Sequence, residues 1–156
     1  MAQRPLSKID QLLLGVDKAL RAVVPHSNPS TRPLPVSSDE IPELSINEAR
    51  HVAGLMRINH TGEVCAQGLY HGQAFAAKND DVKQAMQQSA EEEVDHLVWC
   101  EVRLDELGSH PSIFTPLWYG MSFGLGAVAG AISNEFSLGF VAETEAQVSE
   151  HLQDHI

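Results

Sequence analysis

An all-α, antiparallel helical bundle with short connections is the fold this chain predicts, on three observations. Apolar residues recur at steps of three and four along several long stretches. No stretch alternates apolar and polar residues as a half-buried strand does, and the breaks between stretches are short turns built from Pro, Gly, Asn and Asp. With 156 residues, 43% of them hydrophobic, the chain is long enough to bury one core.

The elements follow in order. Leu6, Ile9, Leu13, Val16, Leu20 and Val23 line one face of an amphipathic helix within residues 1–24, which Pro25 closes. Lys8, Lys18 and Arg21 flank that face, a pattern that suits an anionic lipid surface and equally a helix packed at the domain edge. Residues 25–44 hold five of the eight prolines and read as a linker. Residues 45–156 are the bundle. Ser45 with Glu48 forms a capping box that opens a helix to about Lys78, and the Asn79-Asp80 turn starts a second helix that runs to Leu107, where Gly108 stops it. Leu117 to Ile132 carries no charge, and Gly120, Gly124, Gly126 and Gly130 give it two small-xxx-small spacings, so it packs very closely or meets lipid. Its sixteen residues fall short of the ~20 that a spanning helix needs, which places it in the core or in the membrane interface rather than across the bilayer. A last helical pattern starts near Glu135 and still runs, uncapped, at Ile156, so the chain is expected to be C-terminally truncated.

Ten basic against 21 acidic residues give a net charge of −11, which repels phosphate backbones and excludes nucleic acid as the natural partner. Cys65 and Cys100 lie inside helical patterns without CxxC spacing, which speaks for a reducing compartment and against a disulfide framework. Asp10, Asp17 and Lys18 interrupt the N-terminal segment, against a secretory signal.

The chemistry lies in acidic residues on core-facing stripes. On the second long helix the stripe runs Val82, Met86, Ser89, Glu93, His96 with Leu97, Cys100, Leu104 and Leu107; on the first it passes Val52, Leu55 with Met56, Asn59, Glu63, Ala66, Tyr70, Gln73 with Ala74, and Ala77; on the last, Leu138, Val141, Glu145, Val148, Leu152 and Ile156. Glu91, Asp95, Glu143 and Glu150 sit round the helices from these stripes and are assigned to solvent, with Glu92 one step away. Three ionised carboxylates converging on an apolar core cost several kcal/mol each without compensation, and a metal ion supplies it. The i, i+3 spacing of Glu93 and His96 sets an oxygen and an imidazole nitrogen side by side, and Glu-x-x-His with further inward glutamates is the pattern of carboxylate-bridged di-iron and di-manganese bundles. Zinc suits this set less well, since its closed sites favour cysteine and more histidine. His26 and His110 fall in turns, while His51, His60 and His71 read as surface or helix-edge residues. Tyr70 reads as a core tyrosine, with a hydrogen bond near the metal or a redox role as the alternative, and His151 as support for a metal ligand or as an exposed side chain.

The stretch Arg57-Ile-Asn-His-Thr-Gly-Glu63-Val-Cys-Ala-Gln-Gly-Leu-Tyr70-His-Gly-Gln73 resembles the demethoxyubiquinone hydroxylase family of ubiquinone biosynthesis. Glu93-Val-Asp-His96, Pro116-Leu-Trp118 and Val141-Ala-Glu-Thr-Glu145 leading to His151 extend the resemblance over about residues 50–156. It implies a ferritin-like di-iron monooxygenase that hydroxylates a polyprenylated methoxy-methyl-benzoquinol with O2, taking electrons from the quinol or from NADH through it. It further implies a peripheral position on the cytoplasmic face of a bacterial inner membrane, or on the mitochondrial inner membrane, among other ubiquinone-biosynthesis proteins. By position, Glu63, Glu93 and His96 correspond to the ligands of one iron, with Glu93 and Glu145 reaching a second. The family pattern continues past Ile156 into a second Glu-x-x-His that is not in this sequence, which puts activity of these 156 residues in doubt. Two other functions share the inward glutamates: a ferritin-like iron-handling or ferroxidase protein, and a non-catalytic lipid-binding scaffold at a membrane surface.

Overall fold

A computed structural model describes residues 7–35 and 44–153, and in the last helix side chains through residue 143 and at 146 and 147. Five helices follow in the order α1 (Lys8–Val23), α2 (Ile46–Ala76), α3 (Asp80–Glu106), α4 (Thr115–Ile132) and α5 (Asn134–Gln153), and there is no strand among the described residues. The boundaries have local causes. Ser7 and Asp10 form a capping box on α1, and Ser45 and Glu48 form the one read from sequence on α2. The Asn79 side chain accepts the Asp81 N–H at 2.7 Å to open α3, and Gly108, at φ +62°, turns the chain out of it. Pro116 stands in the first turn of α4.

The long helix α2 packs against α3 on one side and α4 on the other. On the α3 side Tyr70 and Ala74 meet Val82, Met86 and Ala90, a cluster that Val141 of α5 completes. Val64 and Leu97 form a second cluster with Tyr119 of α4 and Ala22 of α1. The single inner stripe read on α2 is too narrow: His60, Val64, Gln67, Gly68, Leu69 and Gly72 are also buried, because two neighbours share this helix.

Small residues make the second contact possible. A Cβ on Gly72 would collide with the Phe123 carbonyl, and one on Gly126 with the Leu69 carbonyl, so α2 and α4 touch backbone to backbone. The charge-free helix therefore packs closely on one side, while Leu117, Met121, Leu125, Val128 and Ile132 remain exposed on the other. Helix α1 rests its small residues Ala19 and Ala22, with Val23, on the second cluster and leaves Ile9, Leu13, Val16 and Leu20 exposed. Among the described residues no helix is long and apolar enough to cross a membrane.

Close helix contact should be testable with one methyl group. Gly72→Ala or Gly126→Ala should lower unfolding stability by about 1–3 kcal/mol or more, through the forced separation of α2 and α4. Gly124→Ala, where nothing lies within 4 Å, should raise it by roughly 0.5–1 kcal/mol through helix propensity. Urea unfolding of the three variants checks the pair of signs.

Candidate metal centre

Glu63 lies midway along α2, and Glu93 and His96 lie on α3 one turn apart. The packing of Tyr70, Ala74 and Val64 against α3 sets the register in which these side chains meet. One carboxylate oxygen from each glutamate and one ring nitrogen of His96 fall within 4.8 Å of one another, and this is the one such His, Cys, Asp and Glu group among the described residues. His96 Nδ1 stands 2.6 Å from Glu93 Oε2.

The carboxylates here meet without a Lys or Arg beside them among the described residues. Burial, followed by the charge of Glu93 and a hydrogen bond with it, pushes Glu63 up to about 8 from the ordinary carboxylate range. His96 is the basic group paired with these carboxylates among the described residues, and no Lys or Arg joins it. Other buried carboxylates on α3 are treated differently. Asp95, 3% exposed, accepts from Ser30, Thr31 and Arg32, and Arg32 with the Thr31 N–H holds it well below the usual range. Glu101 accepts the His26 backbone N–H at 3.0 Å and stands 3.6 Å from His60 Nε2. Two oxygens and an imidazole nitrogen, brought together without a balancing cation, form a donor set suited to a hard divalent metal.

The placement of the other sequence-read residues is mixed. Tyr70 is 4% exposed in the α2–α3 core, as a core tyrosine should be. The side chains of Glu145 and His151 lie outside the described residues, although both positions belong to α5. Glu91 and Glu143 are exposed as read, and so is Glu92, one step from the stripe, while the side chain of Glu150 lies outside the described residues; Asp95 is buried, because residues 30–32 fold over it. His60 is not a surface residue but 1% exposed between α2 and α3, and neither ring nitrogen has a hydrogen-bond partner. His71 is half-buried, with Nδ1 2.9 Å from the Tyr119 hydroxyl; burial, then the Lys18 charge, lowers it to about 4, so it stays neutral. Cys100 adjoins the site, and burial with the charges of Glu63 and Glu101 pushes its thiol up to about 12, so it remains protonated. Sequence reasoning missed Arg32 and Trp99; a tryptophan one turn after His96 was the signal available.

Comparison with known proteins adds an independent line. The family model described as "Ubiquinone biosynthesis protein COQ7" matches residues 50–156. A protein of Psychrobacter arcticus named 3-demethoxyubiquinol 3-hydroxylase is 93% identical over all 156 residues, which span 73% of that relative. A protein of the same name from Ectopseudomonas mendocina is 57% identical over 155 residues, 99% of this chain and 72% of the relative. No solved structure matches.

The charge at Glu63 gives a pH test. A cation at this cluster needs Glu63 ionised, whereas below about 8 the metal-free protein holds a proton there. Fe(II) affinity, titrated anaerobically, should therefore rise with pH from 6 towards 8 and level off above it. Glu93→Ala and His96→Ala should each abolish the binding, and Glu91→Ala should leave it unchanged.

Proposed function

The chain belongs to the COQ7 family of ubiquinone-biosynthesis proteins, and from that membership we propose that it catalyses the reaction for which its relatives are named, the hydroxylation of 3-demethoxyubiquinol. The observation that carries this reading is the family match over residues 50–156, with Glu63, Glu93 and His96 meeting inside it. The protein is an oxidoreductase, a monooxygenase. A ring C–H of the quinol becomes C–OH, the second oxygen atom of O2 leaves as water, and the balancing electron pair comes from the quinol or from NADH through it.

Glu63, Glu93 and His96 would hold one iron, with Glu93 and, by the family resemblance, Glu145 serving a second, and bound iron would supply the activation of O2. The chain's own residues prepare that centre. Burial of Glu63 against Glu93 keeps a proton on the pair until a cation replaces it, and the imidazole of His96, one turn from Glu93, adds a nitrogen ligand. The protonated Cys100 thiol offers no thiolate to compete for the metal.

A polyprenyl substrate resides in the bilayer, and the protein meets it there as a peripheral protein on the cytoplasmic face of the inner membrane. Support comes from the outer face of α4 and the outer face of α1, both apolar and both open. Lys8 and Lys18 add positive charge to α1 in an otherwise acidic molecule. A cleft of about 370 Å³, lined by Gly54, Arg57, Ile58, Thr61, Ser112 and Trp118, lies beside the start of α4 and along α2 before Glu63, which suits admission of the quinol ring. These open apolar faces favour a membrane enzyme over an iron-handling protein.

Two outcomes follow. Iron-loaded protein supplied with demethoxyubiquinol and O2 should form the hydroxylated quinol, and His96→Ala should not; O2 uptake with Fe(II) oxidation but no product would favour iron handling. In sedimentation with anionic liposomes, Leu13→Glu and Leu125→Glu should each weaken association about tenfold or more, as expected when one leucine no longer leaves water, while Fe(II) binding is retained.

A further inference from the structure

The segment between α1 and α2 is fastened to α3 at two buried carboxylates. At one end the His26 N–H bonds Glu101, and the Arg21 and Asn28 side chains tie the segment to the end of α1. At the other, Asp95 Oδ1 accepts the Ser30 hydroxyl at 3.1 Å and the Thr31 and Arg32 N–H groups at 2.6 and 3.3 Å. Its Oδ2 accepts the Thr31 hydroxyl at 2.8 Å and Arg32 Nε at 2.7 Å. Arg32 Nη2 also donates to the Glu92 carbonyl at 2.7 Å.

So held, the Arg32 guanidinium carbon stands 5.5 Å from the centre of the Trp99 ring. That ring in turn lies 5.1 Å from the His96 imidazole, centroid to centroid. His96 needs such a wall. Its side chain is 40% exposed, and its hydrogen bond is made to the Glu93 carboxylate alone.

We propose that Arg32 is a positioning residue: clamped by Asp95, it presses Trp99 against His96 and holds the imidazole with Nδ1 towards Glu93. The proposal rests on the reading of Glu63, Glu93 and His96 as metal ligands. Arg32 precedes residue 50, where the family match begins, and acts on the centre through Asp95 and Trp99 inside the matched region. A planar guanidinium stacks on an indole and an ammonium does not pack in the same way, so lysine is not an equivalent here.

The test uses the 156-residue protein with Fe(II) for affinity and Co(II) as an optical probe of ligand geometry. Arg32→Ala and Trp99→Leu should weaken Fe(II) binding about 10- to 100-fold, as loss of a partner behind a ligand does, and should shift the Co(II) ligand-field bands. Arg32→Lys should fall nearer to Arg32→Ala than to the parent, Trp99→Phe should recover most of the loss, and Arg103→Ala, which removes another ion pair of α3, should change nothing. Wild-type affinity and spectrum in Arg32→Ala would overturn the proposal and leave the metal centre standing; so would weaker binding with an unchanged Co(II) spectrum, which marks lost stability alone. Should Arg32→Ala fail to fold, equal binding by Trp99→Leu and Trp99→Phe would overturn it. A parent protein that binds neither metal would instead overturn the metal reading.

Discussion

Helix α2 must serve two neighbours at once, and the rest of the molecule is arranged around that demand. At about 100° of turn per residue, Gly72 is set on the opposite side of α2 from Glu63, nine positions earlier. One face can thus carry a ligand to α3 while the other meets the α4 backbone directly, through Gly68, Gly72 and Gly126. Larger residues at those glycines would drive α4 outward and take Tyr119 and Phe123 away from Val64 and Leu97. The register of α2 on α3, and with it the meeting of Glu63 with Glu93 and His96, is set by Tyr70, Ala74 and Val64, and Tyr119 of α4 joins the cluster that holds Val64 on Leu97.

Much of this was legible in the sequence, and the failures have physical causes. Capping boxes, the Gly108 stop and the charge-free segment carry local signals, so the ends of α2, α3 and α4 came out within about two residues. Glu63, Glu93 and His96 stood out because carboxylates on an apolar stripe are costly without a partner. A stripe, however, records only one packed face. Gly68 and Gly72 contribute no hydrophobic signal, so the second face of α2 is invisible in the sequence and His60 reads there as an edge residue. Asp95 was assigned to solvent because its partners Ser30, Thr31 and Arg32 lie more than 60 residues away, in a proline-rich stretch with no periodicity to show where it docks.

The acidic groups of α3 express one rule with different solutions. Asp95 is satisfied by Arg32 and by the backbone of residues 31 and 32, and Glu101 by the His26 N–H with His60 beside it. Glu63 and Glu93 face each other with an imidazole and no Lys or Arg. The chain uses its few cations and free N–H groups on the first two and leaves the third to hold a proton or a metal. Chemistry is thus placed where the protein has withheld its own compensation. The apolar faces of α1 and α4 are likewise left open among the described residues.

The central claim is that the carboxylate pair and His96 form an iron site. Crystals grown anaerobically with Fe(II), with diffraction collected on both sides of the iron absorption edge, would locate the ion directly. The account predicts an anomalous peak within bonding distance of Glu63, Glu93 and His96. Iron found only at exposed carboxylates such as Glu91 or Glu143, with Glu63 and Glu93 still sharing a proton, would contradict it.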